Sequence, residues 1–447
     1  MKMILVDLGL SLLLLVPFAG FSQGEVKLSL DQAKELALKN NYDLKNSALD
    51  IEKAHEVVKE NTAIGLPQVN GGVDYLDYLD RPTSLLPGEI IGMPPGSYMK
   101  IQFGLKYNST LKLSASQLIF SGQYLVGLQA AKAYLDLTRD KIKKDQQDVT
   151  DLVENSYIGA LVLEENIRVL DSTLKTMNQM LFEIREVYKN GMVEDIDVNQ
   201  VELYVSNLEA TLSSMNAQKS IAYNYLKYLM GIQKEKQLTL TDDLDHFKAG
   251  IDVELLSNRP FDRNQFIDYI LFKKQEKLTF LQYKLAKTAY MPTLTAFMGF
   301  QENAQRTDWD FFQKNEPWFK TWNWGLSLNI PIWSSGTRMH KLNQARIDVE
   351  KTKVTDEKLK SLLDVQVETA RKDLNSSYLV YTNKQKGLDL SETIYNKTMI
   401  KYRQGVTTSM DLDQKYNQYM QTQAEYFSSL FDLLKNSISL EKLLKQY

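Results

Sequence analysis

The stretch YKNGMVEDID at residues 188–197 returns in outline as YRQGVTTSMD at residues 402–411. Tyr188 falls on Tyr402, Gly191 on Gly405 and Asp197 on Asp411 at one constant offset, without a gap. Each copy stands between long heptad runs. Before the first, Leu163, Ile167, Leu170, Leu174, Met177, Leu181, Ile184 and Tyr188 step by four and three. After it come Val198, Val201, Val205, Leu208, Leu212 and Met215, and Leu226 and Leu229 rejoin the register. The final run carries Leu412, Tyr416, Tyr419, Tyr426, Leu430, Leu433, Leu440 and Leu444, with a more polar seam at Gln423 and Ser437. A sustained 3.5-residue period predicts left-handed coiled-coil packing, so each turn joins an antiparallel helical hairpin. Glycine reaches positive φ without a Cβ penalty, which suits Gly191 and Gly405 to stop one helix and reverse the chain. A helix from about residue 123 to 188 would run roughly 100 Å at about 1.5 Å per residue, far beyond a globular helix.

Other landmarks repeat too. FSG at 120–122 matches WSSG at 333–336 after one inserted residue, and Ala131 then falls on Ala345. GLPQV at 65–69 matches YMPTL at 290–294, and the same shift places Asp43 on Asp268. The change of offset puts extra length in the first half around residues 80–97, a Pro/Gly-rich stretch expected to be a loop. The expected organisation is therefore a first repeat over 24–232, a connection over 233–262 and a second repeat over 263–447. Each repeat reads helix, strand, loop, strand, long hairpin. In the first, Ser29 caps a helix over about 30–64 that Pro67 ends, strands lie near 68–79 and 98–118, and the hairpin covers about 123–232. In the second, the strands lie near 293–303 and 320–332 and the hairpin covers about 337–446.

The longer strands alternate. Ile101, Phe103, Leu105, Tyr107, Leu111 and Leu113 share one face, against Gln102, Lys106, Asn108, Thr110, Lys112 and Ser114. Trp322, Trp324, Leu326, Leu328 and Ile330 stand against Thr321, Asn323, Ser327 and Asn329. Four such strands cannot close a barrel alone, yet strands of roughly 10 residues suit a tilted bilayer crossing. Backbone groups in lipid must all be paired, so an open sheet there has to join others, which points to several copies sharing one barrel. Tyr75, Tyr78, Tyr98, Tyr107, Trp318, Trp322 and Trp324 suit an interfacial girdle. A soluble sandwich with its apolar faces packed together is the alternative.

Composition narrows the chemistry. The chain is 43% apolar and 24% charged with net charge −3, which gives no general basis for nucleic-acid binding. It contains no cysteine, so disulfides, thiolate metal sites, a cysteine nucleophile and a lipidated cysteine are excluded. His55, His246 and His340 are isolated and lack ligand spacing; no phosphate loop or nucleophile elbow occurs, and no catalytic residue, metal or cofactor is expected. Residues 1–23 read as a secretory signal peptide cleaved near Gln23 or Gly24, with an N-terminal anchor as the alternative.

The order and the duplication resemble the TolC-like outer-membrane efflux protein family over essentially the whole mature chain. LSLDQAKELALKNNYDLKNS (28–47) is similar to its first helix, GLPQV and YMPTL to its helix-to-strand junctions, FSG and IPIWSSG to its strand-to-helix junctions. The two turns resemble its helical tips. The resemblance implies a mostly α fold with a membrane β part. Long coiled-coil hairpins would form an α-helical barrel, and each chain would give four strands to a trimeric 12-stranded β-barrel. It further implies a homotrimeric exit duct of a tripartite efflux pump or type I secretion system, in the outer membrane of a Gram-negative bacterium with its helical barrel in the periplasm. Passive conduction would follow untwisting of the inner hairpins. Implied partners are outer-membrane lipid, a periplasmic adaptor (membrane fusion) protein and through it an inner-membrane RND or ABC transporter. A periplasmic adaptor or coiled-coil scaffold without a channel is the alternative.

By the same resemblance Lys189, Asn190, Gly191, Met192 and Val193, with Arg403, Gln404, Gly405, Val406, Thr407 and Ser409, are expected to dock the adaptor. Asp411 matches an acidic ring at the entrance; its plainer reading is a carboxylate stabilised by a helix N-terminus. The family's further acid is Gln414 here, and an arginine expected after the second glycine is Thr407. Tyr402 and Asp197 match an aromatic-to-acid link that holds the entrance shut, although Tyr402 could simply pack in the seam.

Overall fold

The computed structural model describes residues 26–446, and the segment 1–23 read as a signal peptide lies outside them. In chain order the described residues form β1 (Val26–Leu28), α1 (Leu30–Asn40), α2 (Tyr42–Ala63), β2 (Gln68–Asp77), β3 (Thr83–Pro87), β4 (Tyr98–Gln102) and β5 (Tyr107–Ser121). The first hairpin follows, α3 (Gly122–Lys189) and α4 (Asp195–Leu229), then β6 (Leu238–Leu240), α5 (Leu244–Ala249) and α6 (Val253–Asn258). The second half runs α7 (Ile267–Thr288), β7 (Thr293–Arg306), β8 (Phe319–Asn329), α8 (Thr337–Arg403) and α9 (Ser409–Leu444). The internal repeat is metric: α3 and α8 hold 68 and 67 residues, α4 and α9 hold 35 and 36, and α2 and α7 hold 22 each.

The chain divides into two compact units, and each draws on both sequence repeats. One comprises the described residues up to Tyr42 with Asp148–Ser257 and Asp373–Ser439; the other comprises Asp43–Gln147, Asn258–Lys372 and the stretch from Leu440. In the first unit, Leu170, Met177, Ile184, Val201, Leu208 and Leu412 build the seam that the heptads specify, all of them buried. Its chain start is tied down separately. β1 pairs in parallel with β6, Tyr157 donates to the Leu28 carbonyl at 2.9 Å, and Leu30 N–H donates to Asp242 at 2.6 Å.

The single helix expected over 30–64 is two. Asn41 leaves the helical region at φ −55°, ψ 136°, and its buried side-chain amide donates to the Leu229 carbonyl at 2.9 Å. Bonding across to α4 offsets the intrahelical bonds lost at the break. Close by, Gly231 has φ +63°, and a Cβ there would stand 2.7 Å from the Asn40 carbonyl oxygen. Gly231→Ala should therefore lose stability by about 2–3 kcal/mol, from αL strain plus the clash. A drop in the urea midpoint at unchanged slope would show it, and an unchanged midpoint would refute it.

In the second unit, four strands form one antiparallel sheet in the order β2-β5-β7-β8. The strand expected over 98–118 is interrupted. Gly104 takes φ +87°, β4 ends at Gln102, and β5 starts only at Tyr107. β4 pairs instead with β3 in a separate two-stranded sheet, so Ile101, Phe103 and Leu105 do not share the face of Leu111 and Leu113. The expected loop over 80–97 thus holds a strand and a 3₁₀ turn, Gly88–Ile91.

Register settles the two faces of the main sheet. Val73, Leu111 and Glu302 lie in one row, Leu113, Phe300 and Trp322 in the next, Ala115, Met298 and Trp324 beyond it, then Ala296 beside Leu326. Apart from the Glu302–Lys320 ion pair at 3.3 Å, Ser109, Gln117 and the end row of Asp77 and Arg306, this face is apolar, and its tryptophans are exposed. The opposite face carries Asn70, Ser114, Gln301, Asn323 and Thr321, with Lys112 and Asp74 paired at 2.5 Å. Water would penalise an open apolar face of this size, whereas hydrocarbon would not. Among the described residues no helix is long and apolar enough to cross a membrane.

Candidate functional site: the helical tips

The two tips close with the same backbone bonds. Gly191 N–H donates to the Tyr188 carbonyl at 2.8 Å and Met192 N–H to that of Val187 at 3.2 Å. Gly405 N–H donates to the Tyr402 carbonyl at 3.0 Å and Val406 N–H to that of Lys401 at 2.9 Å. Both glycines have φ +71°. This is the Schellman ending, in which a left-handed residue lets the last carbonyls find donors. Past each glycine an apolar side chain is left in the open: Met192 is 75% and Val406 70% exposed, and Met410 on α9 reaches 80%.

The tips sit together around a cleft of about 660 Å³ in the first unit. Met192, Val193, Asp197, Tyr402, Arg403, Gln404, Gly405, Thr407 and Ser409 line it, so residues separated by half the sequence meet there. Asn190, Lys189, Val406 and Asp411 lie outside that lining. Lys189 pairs with Glu186 at 2.7 Å, and Asn190 donates to the Glu186 carbonyl at 2.8 Å. Arg403, expected as a charge presented to a partner, pairs with Glu183 of α3 at 3.1 Å. That ion pair bridges the hairpins.

The acidic residues serve their own helices first. Asp197 accepts from Glu194 N–H at 3.3 Å in a capping box. Asp411 accepts from the Thr407 hydroxyl at 2.9 Å, and its N–H donates to Thr408 Oγ1 at 3.3 Å. Each carboxylate therefore stabilises the positive end of a helix dipole. Thr407, standing where the family pattern has arginine, partners Asp411 within the same turn.

Tyr402 and Asp197, expected from sequence to be linked, stand close enough for the carboxylate to act on the phenol, but without a hydrogen bond of full geometry. Burial and the neighbouring Asp197 charge raise the Tyr402 phenol above its ordinary pKa, but its hydroxyl is buried without a hydrogen-bond partner. A well-made link forms elsewhere. Tyr204 of α4 donates to Asp413 of α9 at 2.6 Å, while accepting from Gln200 at 2.9 Å, and Asp413 also accepts from Asn417 at 2.8 Å. Burial, then the Asp413 bond, raises the Tyr204 phenol and keeps it a donor. Tyr204 packs on Tyr416 at 4.8 Å between ring centroids, and Tyr395 stacks on Tyr419 at 5.4 Å. A deeper polar contact joins Gln423 to Asn166 at 3.3 Å, both buried. The sequence signal for the Tyr204–Asp413 pair is positional: each residue flanks its heptad seam, beside Val205 and Leu412.

The comparisons follow the same outline. The family model described as outer membrane efflux protein matches residues 34–232 and 273–445, leaving out the connection that carries β6, α5 and α6. The probable outer membrane lipoprotein SilC of Salmonella typhimurium is 21% identical over 90% of this chain and 83% of its own. Outer membrane protein TolC of Salmonella enteritidis is 21% identical over 93% of this chain and 82% of its own. The solved structure of the outer membrane protein VceC from Vibrio cholerae aligns with TM-score 0.68 at 15% identity, over 93% of this chain and 96% of that one. By the extent of the family match, which covers both hairpins and all four strands of the main sheet, the chain belongs to the outer membrane efflux protein family.

Proposed function

We propose that this chain is the outer-membrane exit duct of a tripartite efflux pump or type I secretion system, and that three copies build it. The observation that carries the proposal is the four-stranded sheet, with one exposed apolar face and both edges, on β2 and β8, unpaired among the described residues. Lipid would cover the face, but unpaired backbone there costs several kcal/mol per group. Joining β2 of one copy to β8 of the next removes every edge. Conduction is passive, driven by an inner-membrane RND or ABC transporter through a periplasmic adaptor docked at the tips. Detergent-corrected light scattering on protein from the outer-membrane fraction tests the assembly. A detergent-requiring trimer supports it; a monomer soluble without detergent overturns it.

Within this reading, the entrance is held shut by links between the hairpins, and Tyr204–Asp413 is the strongest of them. A hydrogen bond to a charged acceptor contributes about 1.5–3 kcal/mol, once in each copy. Tyr204→Phe should therefore raise single-channel conductance in a planar bilayer. Asp197→Asn should change it less, because its carboxylate bonds within its own helix. The reverse ranking would move the latch to Tyr402 and Asp197. Asp411, turned toward the common axis, would supply an acidic ring that favours cations.

A further inference from the structure

The loop 307–318 between β7 and β8 is folded back rather than extended. In the register, Tyr75, Ser109 and Ala304 form one row on the apolar face, and Asp77, Tyr107 and Arg306 form the last row beyond it. Phe311 of the loop meets Tyr75 edge-on at 6.0 Å between centroids and lies 5.8 Å from the Arg306 guanidinium. It therefore lies across the row between them, where Ala304 is fully covered and Ser109 nearly so. Arg306 fixes the fold-back: itself buried, it pairs with Asp310 at 3.1 Å and donates to the Pro317 carbonyl at 2.9 Å. With that anchor in place, two large aromatics stay outside. Phe312 is 85% and Trp309 61% exposed, and they pack on each other at 5.7 Å.

We infer that this loop is a membrane-seated collar, with Trp309 and Phe312 immersed at the boundary between headgroups and acyl chains of the outer leaflet. The inference rests on the membrane reading of the sheet, with which the patch is continuous: the loop covers the top of the same face that carries Trp322 and Trp324. Height agrees. At about 3.4 Å per residue and a tilt of about 40°, the Ala304 row stands roughly 30 Å above Ile330. An outer-membrane apolar band is about 25 Å tall with aromatic girdles at both edges, so the loop reaches the upper girdle. Just below, the Glu302–Lys320 pair marks where charge first appears on this face. Two exposed aromatics held in place by the ion pair of a buried arginine are unfavourable in water and favourable at that boundary.

The chain has no cysteine, so Phe312→Cys and Trp309→Cys each give a unique site for a nitroxide label. The labelled protein in phospholipid vesicles is read by collision with oxygen against a water-soluble nickel chelate. Leu326→Cys serves as the lipid reference and Lys189→Cys as the aqueous one. The expected oxygen-to-nickel ratio at 309 and 312 is several-fold above that at 189 and below that at 326. Ratios equal to that at 189 would overturn the collar while leaving the barrel standing. If the label at 326 were aqueous as well, the membrane reading of the sheet would be the part that fails.

Discussion

Met192→Asp combined with Val406→Asp is expected to abolish export while leaving the assembly intact in the outer membrane. Both side chains protrude past the left-handed glycines, where the backbone is already satisfied by the Schellman bonds. Neither touches the seam, so the folding cost should stay within about 0.5 kcal/mol. Docking is another matter. An apolar anchor at the centre of an interface contributes about 2–4 kcal/mol, a factor of roughly 30 to 1,000 in affinity, and a desolvated carboxylate adds its own penalty. The trimer presents each anchor three times, which multiplies the loss. The check is a drug- or toxin-export assay in cells beside a blot of outer-membrane trimer. Normal export with normal trimer would exclude these tips as the docking surface, and lost trimer would mean that the tips stabilise the assembly itself. Lys189→Ala is the contrasting variant: its ammonium is exposed and paired with Glu186 one turn away, so it should alter export little.

The large architecture was legible in the sequence because periodicity and duplication are properties of many residues at once. Eight seam positions from Leu163 to Tyr188 agree on one heptad register, and no single side chain can overturn them. Local interruptions were not legible. Gly104 breaks an alternation that continues in letter pattern from Ile101 to Leu113, because alternation reports side-chain type and not whether the intervening backbone stays extended. Asn41 breaks the first helix for a tertiary reason, the Leu229 carbonyl it reaches across the unit. At the tips the residues that meet were legible from the repeat, but the bonds among them were not. Asp197 had two available partners, a phenol on the other hairpin and the N–H of Glu194 three residues before it. The nearer was taken, since a capping box requires no further ordering of the chain. That left the Tyr402 hydroxyl beside Asp197 without a bond of full geometry, while Tyr204 and Asp413 form a well-made phenol–carboxylate bond between the hairpins.

Introducing arginine at Leu326 should prevent accumulation of folded trimer, whereas arginine at the adjacent Ser327 should not. The two positions are neighbours on one strand, so propensity, strand order and synthesis load are matched. They differ only in the face they present. Leu326 pairs with Ala296 on the apolar face, between the Trp324 row and Leu328; Ser327 pairs with Thr295 on the polar face. Near the bilayer midplane an arginine on the lipid side of a barrel costs about 2–4 kcal/mol, and on the lumen side it stays hydrated. Three copies raise the former to roughly 6–12 kcal/mol per barrel, comparable to the whole stability of a typical domain. The measurement is the heat-resistant trimer band recovered from outer-membrane fractions, with denaturant midpoints on whatever protein folds. If both variants accumulate equally, the face that carries Leu326 meets neither hydrocarbon nor a packed apolar core, and the barrel reading fails. If Ser327→Arg is the damaging one, the sheet is inside out, with Trp322 and Trp324 turned into the lumen. Only loss at 326 with tolerance at 327 is consistent with a hydrocarbon-facing surface, because alternation along one strand ties each residue's face to its neighbour's.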